Sequence, residues 1–488
     1  MSTDEQAQVL VVGSGAGGAV TALMLAEAGF DVLVLEEGSR YTLSDFGKSP
    51  TEAMRQLYRQ RGMTPILGPV PIGYVEGCCL GGSTEINSGF WHRPPREMLL
   101  RWRAQFDLAD ASEDELRPHC DWAEESLGVG LSPKTWPKST EVFARGIKTM
   151  GWSYEHVPRA APNCNNTNSC ASGCPTGAKQ GMTRTIIPRV EAAGARVLCD
   201  CRVNLLLKKR GRVRGVVARL RREDDSEQMF RINAEHVFVC AGPTETPALL
   251  QRSGIRFHVG NTLRIHPYLK VAARYKEEID AGNSVLPLVQ VKEFWPDISL
   301  GGAYFSTGHL AMLLSENWPE VREKVQDHRN MAMYYVGVLG TGKGSVRPTV
   351  FGPDNTIIRY KLSDTDCRNL STGLARLCAL LLAGGAEEVY PSVYGVPSMR
   401  TEMDAVRWLD TPLPKSSLSL VTVHAFSSCP MGERLDRCAA DSYGKLHGFE
   451  NLYINDASML PDSPGVNPQG SVMAFARRNA MHFRDQHR

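Results

Sequence analysis

The sequence lacks an excess of charge of either sign. Its 55 Lys and Arg residues are balanced by 53 Asp and Glu residues, which gives a formal net charge of +2 over 488 residues. Proteins that bind nucleic acid through electrostatics carry strongly basic surfaces, and no polybasic run is present here. We therefore expect no nucleic-acid partner. With 42% hydrophobic and 22% charged residues, the composition is that of a soluble globular protein. The length of 488 residues predicts two to four domains.

A cationic, apolar leader is lacking as well, since Met1–Gln8 is polar and contains Asp4 and Glu5. One uncharged run, Val9–Ala26, has the length of a membrane helix. It contains four glycines, which favour a turn over a lipid-facing helix. We therefore expect no membrane span and a cytoplasmic protein. Thirteen cysteines in such a reducing compartment favour metal or redox chemistry over a disulfide framework.

The first 36 residues predict a strand, a helix and a second strand. Val9–Val12 and Val32–Leu35 are short apolar runs, and Gly18–Ala28 favours a helix. The first strand and the helix are joined by a G-x-G-x-x-G pattern made of Gly13, Ser14, Gly15, Ala16, Gly17 and Gly18. In that context the glycines allow a tight turn, close approach of the backbone to a pyrophosphate, and packing of the helix on the strand. The unit predicts an FAD or NAD site.

Two further features fit a dinucleotide. Glu36 closes the second strand, 18 residues beyond Gly18, where its carboxylate can accept hydrogen bonds from ribose hydroxyls. The segment 77–94 contains Gly81-Gly82-Ser83 and Asn87, whose amides suit contact with a flat heterocycle. From the residues alone, a loop without function explains this second segment equally well.

Beyond this unit, apolar patterning predicts strands over Arg212–Arg219, Met229–Ala234 and Val237–Cys240. A strong helix is predicted over Asp364–Ala383, and the polar residues 161–182 read as a loop.

The chain resembles the glucose-methanol-choline (GMC) oxidoreductases, which are FAD-dependent. The resemblance is carried by four segments: 9–38, 77–94, 242–254 and 421–475. The segment 242–254 resembles the second signature of the family and departs slightly from it, because Arg256 stands where a glycine is usual.

The resemblance implies an α/β fold of two domains. A Rossmann-like FAD-binding domain with a mainly parallel sheet is expected from the discontinuous segments 1–160, 186–262 and 421–488. A cysteine-containing loop is expected over 161–185, and a substrate domain with a largely antiparallel sheet over 263–420.

His424–Gly432 resembles the H-P-x-G-T-C-x-M-G element of the family, with Ala425 and Ser427 as departures. The resemblance implies that His424 is the catalytic base and that Asn467 is the second catalytic residue. An imidazole with a pKa near neutrality can take an alcohol proton while an amide steadies the oxygen. The implied reaction is oxidation of a primary or secondary alcohol, for example a sugar or aminosugar hydroxyl, to a carbonyl, with hydride passing to flavin N5.

The resemblance also implies the residues that contact FAD: Gly13, Ser14, Gly15, Ala16, Gly17, Gly18, Glu36, Glu37, Gly82, Ser83, Asn87, Val203, Asp456, Ala457, Asn467 and Pro468. Noncovalent FAD is expected, because Ile86 occupies the position from which some members tether flavin through histidine. Electrons would pass to an acceptor protein or, in an alcohol oxidase, to O₂. A non-redox lyase on the same scaffold and a non-catalytic flavin-binding protein are further alternatives.

Three cysteines cluster in the polar loop: Cys164, Cys170 and Cys174. The last two have a C-x3-C-P spacing that is typical of iron–sulfur ligation, whereas structural zinc requires a fourth ligand. The spacing is similar to that of bacterial FAD-dependent sugar dehydrogenases of the family, which implies a [3Fe-4S] cluster. The alternative is reduced cysteines or a local disulfide without metal.

Overall fold

The computed structural model describes residues 5–349 and 356–488. Its strands are β1 (Glu5–Val12), β2 (Val32–Leu35), β3 (Thr64–Leu67), β4 (Ile72–Tyr74), β5 (Tyr154–His156), β6 (Arg196–Leu198), β7 (Cys201–Lys209), β8 (Arg212–Arg221), β9 (Glu227–Val239), β10 (Arg264–Ile265), β11 (Tyr268–Tyr275), β12 (Val289–Val291), β13 (Ile298–Gly302), β14 (Met331–Val338), β15 (Lys343–Pro348), β16 (Thr356–Lys361), β17 (Ala386–Pro391), β18 (Leu420–Thr422), β19 (Ala425–Phe426) and β20 (Leu452–Ile454). Its helices are α1 (Ala16–Ala26), α2 (Pro50–Leu57), α3 (Arg96–Phe106), α4 (Glu113–Leu127), α5 (Lys138–Met150), α6 (Ile186–Ala192), α7 (Gly242–Arg252), α8 (Thr307–Leu314), α9 (Trp318–Val321), α10 (Asp364–Ala383), α11 (Glu402–Asp410) and α12 (Gln469–His487).

The first sheet has the strand order β6-β2-β1-β9-β8-β7, and β20 also pairs with β9. The pairs among β6, β2, β1, β9 and β20 are parallel, whereas β7, β8 and β9 form an antiparallel meander. Apolar side chains cover β1 on both faces, as the continuous apolar run predicts: Val9 and Val11 pack in the cluster that contains α1, and Leu10 and Val12 pack on the opposite side. This sheet confirms the Rossmann-like domain.

The second sheet has eleven strands and is largely antiparallel, with β11 paired to β14, β17 and β18. Its largest apolar cluster packs the sheet against α10 and α5. The antiparallel sheet confirms the predicted second part of the fold.

The two sheets show how the chain crosses between the two parts of the fold. Strands β3, β4 and β5, from the predicted FAD-binding segment 1–160, hydrogen-bond into the second sheet. β3 and β4 lie inside the strand order, since β3 pairs with β16 and β4 pairs with β18 in parallel, whereas β5 pairs with β12 at one end. The uncharged run Val9–Ala26 forms the second half of β1, the turn and α1. None of the helices in the described ranges has the length and apolarity of a membrane span.

Candidate active site

The Gly-rich turn between β1 and α1 forms one wall of a cavity of about 620 Å³. Gly13 has φ = +98°, which glycine adopts readily, and a Cβ there would overlap the Cys240 carbonyl oxygen. A Cβ on Gly18 would overlap the Gly13 carbonyl oxygen, so this glycine lets α1 pack on the turn. Gly15 differs, because a Cβ there would meet no atom within 4 Å. The open space at Gly15 and the N-terminus of α1 suit a pyrophosphate.

Glu36 follows β2 and faces the same turn. Its carboxylate accepts hydrogen bonds from the backbone N–H and the hydroxyl of Ser14, at 2.9 and 2.6 Å, and from the N–H of Gly38 at 2.8 Å. Burial raises the pKa of Glu36 above its usual value. Because a carboxylate has about four lone-pair sites, room remains for one ribose hydroxyl. The ribose contact itself stays a prediction.

Glu37 belongs to a cluster of paired charges that also lines the cavity. Arg59 and Arg202 both form ion pairs with its carboxylate. Burial opposes ionisation of this carboxyl, but the two guanidinium groups outweigh burial and lower the pKa of Glu37 to about 2. Arg59 also pairs with Glu76, and Arg202 pairs with Glu245 at 2.9 Å. The predicted contact of Glu37 with a cofactor stays a prediction.

The second Gly-rich segment lies against the first. A Cβ on Gly82 would lie 3.2 Å from the Cα of Gly15. Nδ2 of Asn87 donates a hydrogen bond to Oε1 of Gln469 at 2.6 Å, and Oδ1 accepts a backbone N–H two residues further on at 3.0 Å. These bonds fix the amide of Asn87 at the cavity wall.

The ring of His424, two residues beyond β18, contacts three polar side chains. Nδ2 of Asn467 lies 3.2 Å from Nε2, while Oη of Tyr268 and Nδ1 of His266 lie 2.8 and 3.1 Å from Nδ1. His266 contacts the hydroxyl of Ser463 through its own Nε2 at 2.8 Å. Because Asn467 donates to Nε2 of His424, that nitrogen carries the lone pair and Nδ1 carries the ring proton.

Burial lowers the pKa of His424 to about 3, so the ring is neutral near pH 7. An exposed imidazole titrates near neutrality, so burial shifts the pKa of His424 away from the value expected for its residue type. Burial, with a contribution from His424, also lowers the pKa of His266 well below its usual value, and burial raises that of Tyr268 well above its usual value. A neutral imidazole is the form of a histidine side chain that can act as a general base.

The remaining predicted cofactor residues also lie around this cavity. Asp456 accepts the N–H of Gly242 at 2.8 Å, which fixes its carboxylate at the wall. The other members that line the cavity are Ser14, Ala16, Gly17, Ser83, Val203, Ala457 and Pro468. Gly18 is the exception, since it packs behind the turn. The structure therefore brings both predicted catalytic residues and nearly all of the predicted cofactor residues to one cavity.

The three loop cysteines do not fit a metal cluster. Across residues 5–349 and 356–488, no group of three or more Cys, His, Asp or Glu side chains is arranged to hold a metal ion. Sγ of Cys170 accepts a hydrogen bond from Nη2 of the buried Arg159 at 3.4 Å, and Sγ of Cys174 lies 3.3 Å from the hydroxyl of Thr176. Cys164 is half-buried. The iron–sulfur prediction is not supported.

The cysteine loop is also joined to the cavity wall by a lysine, a contact that the sequence did not indicate. Lys179 is buried, and its ammonium donates to the carbonyl oxygens of Glu85, Asn87 and Cys170 at 2.5, 3.0 and 2.9 Å. It therefore ties the cysteine loop to the segment that carries Asn87. The partners are backbone groups, two of them more than 90 residues away in sequence, so residue type gave no signal.

Sequence reasoning also missed the two side chains at Nδ1 of His424, namely His266 and Tyr268. Tyr268 and Lys270 are half-buried and line the cavity, while Leu269 between them is buried in the core. The available signal was this alternation of polar and apolar residues along a strand.

The chain is similar in sequence to known oxidoreductases over most of its length. Family models for GMC oxidoreductase match residues 7–268 and 342–476. A GMC-type oxidoreductase of Sinorhizobium fredii, y4nJ, is 38% identical over 97% of this chain and 94% of its own length. The long-chain-alcohol oxidase FAO4A of Arabidopsis thaliana is 25% identical over 96% of this chain and 67% of its own length.

The fold also matches a solved structure. Pyridoxine 4-oxidase from Mesorbium loti superposes with a TM-score of 0.74 over 99% of this chain and 100% of that one. The sequence identity is 17%, so this likeness concerns the fold.

Proposed function

Because the chain belongs to the GMC oxidoreductase family, we propose that it binds FAD in the cavity described above and oxidises a primary or secondary alcohol to a carbonyl compound. The observation that carries this proposal is the placement of His424 and Asn467. Their facing nitrogens, 3.2 Å apart, lie on the cavity that is also bordered by the Gly-rich turn. Its volume is within the range of cofactor and substrate sites.

The residues present fit FAD. Open space at Gly15 and the N-terminus of α1 accommodate a pyrophosphate, and Glu36 retains one acceptor site for a ribose hydroxyl. Asn87 and Asn467 border the same space. When bound, FAD would accept a hydride from the substrate carbon.

The side chains divide the proton chemistry between them. Nε2 of His424 takes the hydroxyl proton of the alcohol, since this nitrogen carries the lone pair of a neutral ring and the alcohol would replace the hydrogen bond that Asn467 donates there. Asn467 donates from Nδ2 to the same oxygen, which steadies the charge that develops there. Tyr268 and His266 act as positioning residues, because their contacts at Nδ1 fix the orientation of the ring.

The electron acceptor and compartment belong to the same proposal. O₂ is the acceptor in an oxidase, and support for this option comes from a relative named as a long-chain-alcohol oxidase. A separate acceptor protein is the alternative. All thirteen cysteines are free, which supports a reducing compartment such as the cytoplasm.

An anaerobic alcohol panel tests the proposal. Purified protein that contains FAD should lose its flavin colour when an alcohol substrate is added without oxygen. A lyase or a non-catalytic flavin-binding protein would keep its colour with every alcohol in the panel. Oxygen uptake compared with dye reduction then separates an oxidase from a dehydrogenase.

A further inference from the structure

Lys270 is a cation that lines the same cavity as the proposed catalytic histidine. It lies on β11 two residues beyond Tyr268, whose hydroxyl contacts His424 at 2.8 Å. Side chains two residues apart on a strand share a face, and their Cα atoms are separated by roughly 7 Å. Both side chains line the cavity. The ammonium is therefore close enough to meet one end of a substrate whose hydroxyl lies at His424.

Lys270 is the lining cation that lacks a carboxylate partner among the described residues. The other lysine and arginine side chains on the cavity are paired: Arg59 with Glu37 and Glu76, Arg202 with Glu37 and Glu245, and Arg252 with Glu245. In the described part of the chain, the hydrogen bonds of Lys270 are made by its backbone, with Ser392 and with β14, and its ammonium has no ion-pair or hydrogen-bond partner. Its charge is left for a ligand.

The surroundings of Lys270 are neutral. Tyr335 lies opposite it on β14, and His309 approaches from α8. Burial, with a smaller effect of Lys270, lowers the pKa of His309 to about 4, so this ring adds no charge near pH 7. Burial lowers the pKa of Lys270 itself to about 8, which leaves it mostly protonated at pH 7. An anion beside it would favour the charged form.

We propose that Lys270 binds an anionic group, a carboxylate or a phosphate, at the end of the alcohol substrate remote from the reacting hydroxyl. This inference rests on the proposed function. The substrate class is then a hydroxycarboxylate or a phosphorylated alcohol with a short spacer between hydroxyl and anion. A protonated aminosugar would place a second cation beside Lys270 and is disfavoured.

The test compares short ω-hydroxycarboxylates with 1-alkanols of the same chain length, by anaerobic flavin reduction. Hydroxyalkyl phosphates form a third arm, which separates phosphate from carboxylate as the preferred anion. We expect wild type to have a higher kcat/KM for one of the two anionic series than for the 1-alkanols. In Lys270→Met this preference should fall by about 10- to 100-fold, the usual size of a hydrogen bond to a charged group. Lys270→Glu should instead have a higher kcat/KM for amino alcohols than for the anionic substrates.

Lys276→Met is the matched control, because Lys276 is exposed just beyond the end of the same strand. It should leave the preference unchanged. Binding of hexanoate, followed through the absorption of the bound flavin, supplies a readout that needs no turnover. Hexanoate should bind wild type and the control equally and Lys270→Met more weakly.

The outcomes separate the inference from the proposed function. The anion site is overturned if alkanols bleach the flavin as efficiently as the anionic substrates and hexanoate binds Lys270→Met as well as wild type. Alcohol oxidation would still stand in that case. Hexanoate binding that depends on Lys270, without bleaching by any alcohol, supports the anion site and overturns the proposed function.

Discussion

Tyr268 and His424, on segments 156 residues apart in sequence, meet through a contact of 2.8 Å between Oη and Nδ1. His266 contacts the same nitrogen at 3.1 Å, while Nε2 on the other side of the ring faces Asn467. The contacts at Nδ1 thus fix the orientation of the ring, and Nε2 carries its lone pair. This arrangement is the basis of the proposed proton transfer to His424.

Replacement of Tyr268 by Phe should weaken the hold on the ring without removing the base. We expect the limiting rate of flavin reduction to fall about 2- to 10-fold, the usual worth of one neutral hydrogen bond, because His266 remains. The flavin content and KM should stay near their wild-type values, whereas a disrupted pocket would change both. Tyr275→Phe is a matched control on the same strand, since its hydroxyl bonds Tyr334. An unchanged rate in Tyr268→Phe would remove its positioning role.

The limiting rate of flavin reduction should be independent of pH between about pH 5 and 7, below the range in which Lys270 on the same cavity loses its proton, since burial lowers its pKa to about 8. The pKa of His424 is lowered to about 3 by burial, so the active neutral form is lost only as pH falls toward that value. His266 and Tyr268 do not change charge in this range, because their pKa values are shifted well below and well above their usual values. Stopped-flow reduction across this range checks the profile. A step near pH 6.5 would show that the ring titrates as if exposed.

FAD should be released when the protein is precipitated with acid. Ile86 lines the cavity at the position from which a histidine would tether flavin, and an aliphatic side chain cannot form that bond. The absorbance of the supernatant measures the released flavin, with free FAD treated in the same acid as a control. Yellow colour retained in the washed pellet would contradict noncovalent binding.

The parts of the fold that the sequence predicted are those set by local patterning. The strand–turn–helix–strand unit and the helix over Asp364–Ala383 form as expected, because apolar periodicity and an N-cap serine specify them locally. The strands predicted over Met229–Ala234 and Val237–Cys240 are one strand, β9. Its backbone continues through the polar pair Glu235-His236, since pairing with β1 does not depend on those side chains.

The site was predictable where a motif specified it and not where distant segments meet. The family motifs indicated His424 and Asn467, and the structure brings both side chains to the cavity. The contacts of His424 with His266 and Tyr268, in contrast, depend on tertiary packing. The spacing of the cysteines was misleading for the same reason. Cys170 contacts Arg159, and Cys174 contacts Thr176, so closeness in sequence did not produce a shared ligand set.

The central claim is that His424 takes the proton of the alcohol. The direct measurement is the rate of anaerobic flavin reduction by an alcohol substrate in wild type, His424→Ala and Asn467→Ala, at matched flavin content. We predict a loss of roughly 10²–10⁴-fold for His424→Ala, the usual contribution of a positioned general base. The loss for Asn467→Ala should be smaller, because the base remains. A wild-type rate in His424→Ala with FAD still bound would contradict the assignment of His424 as the base.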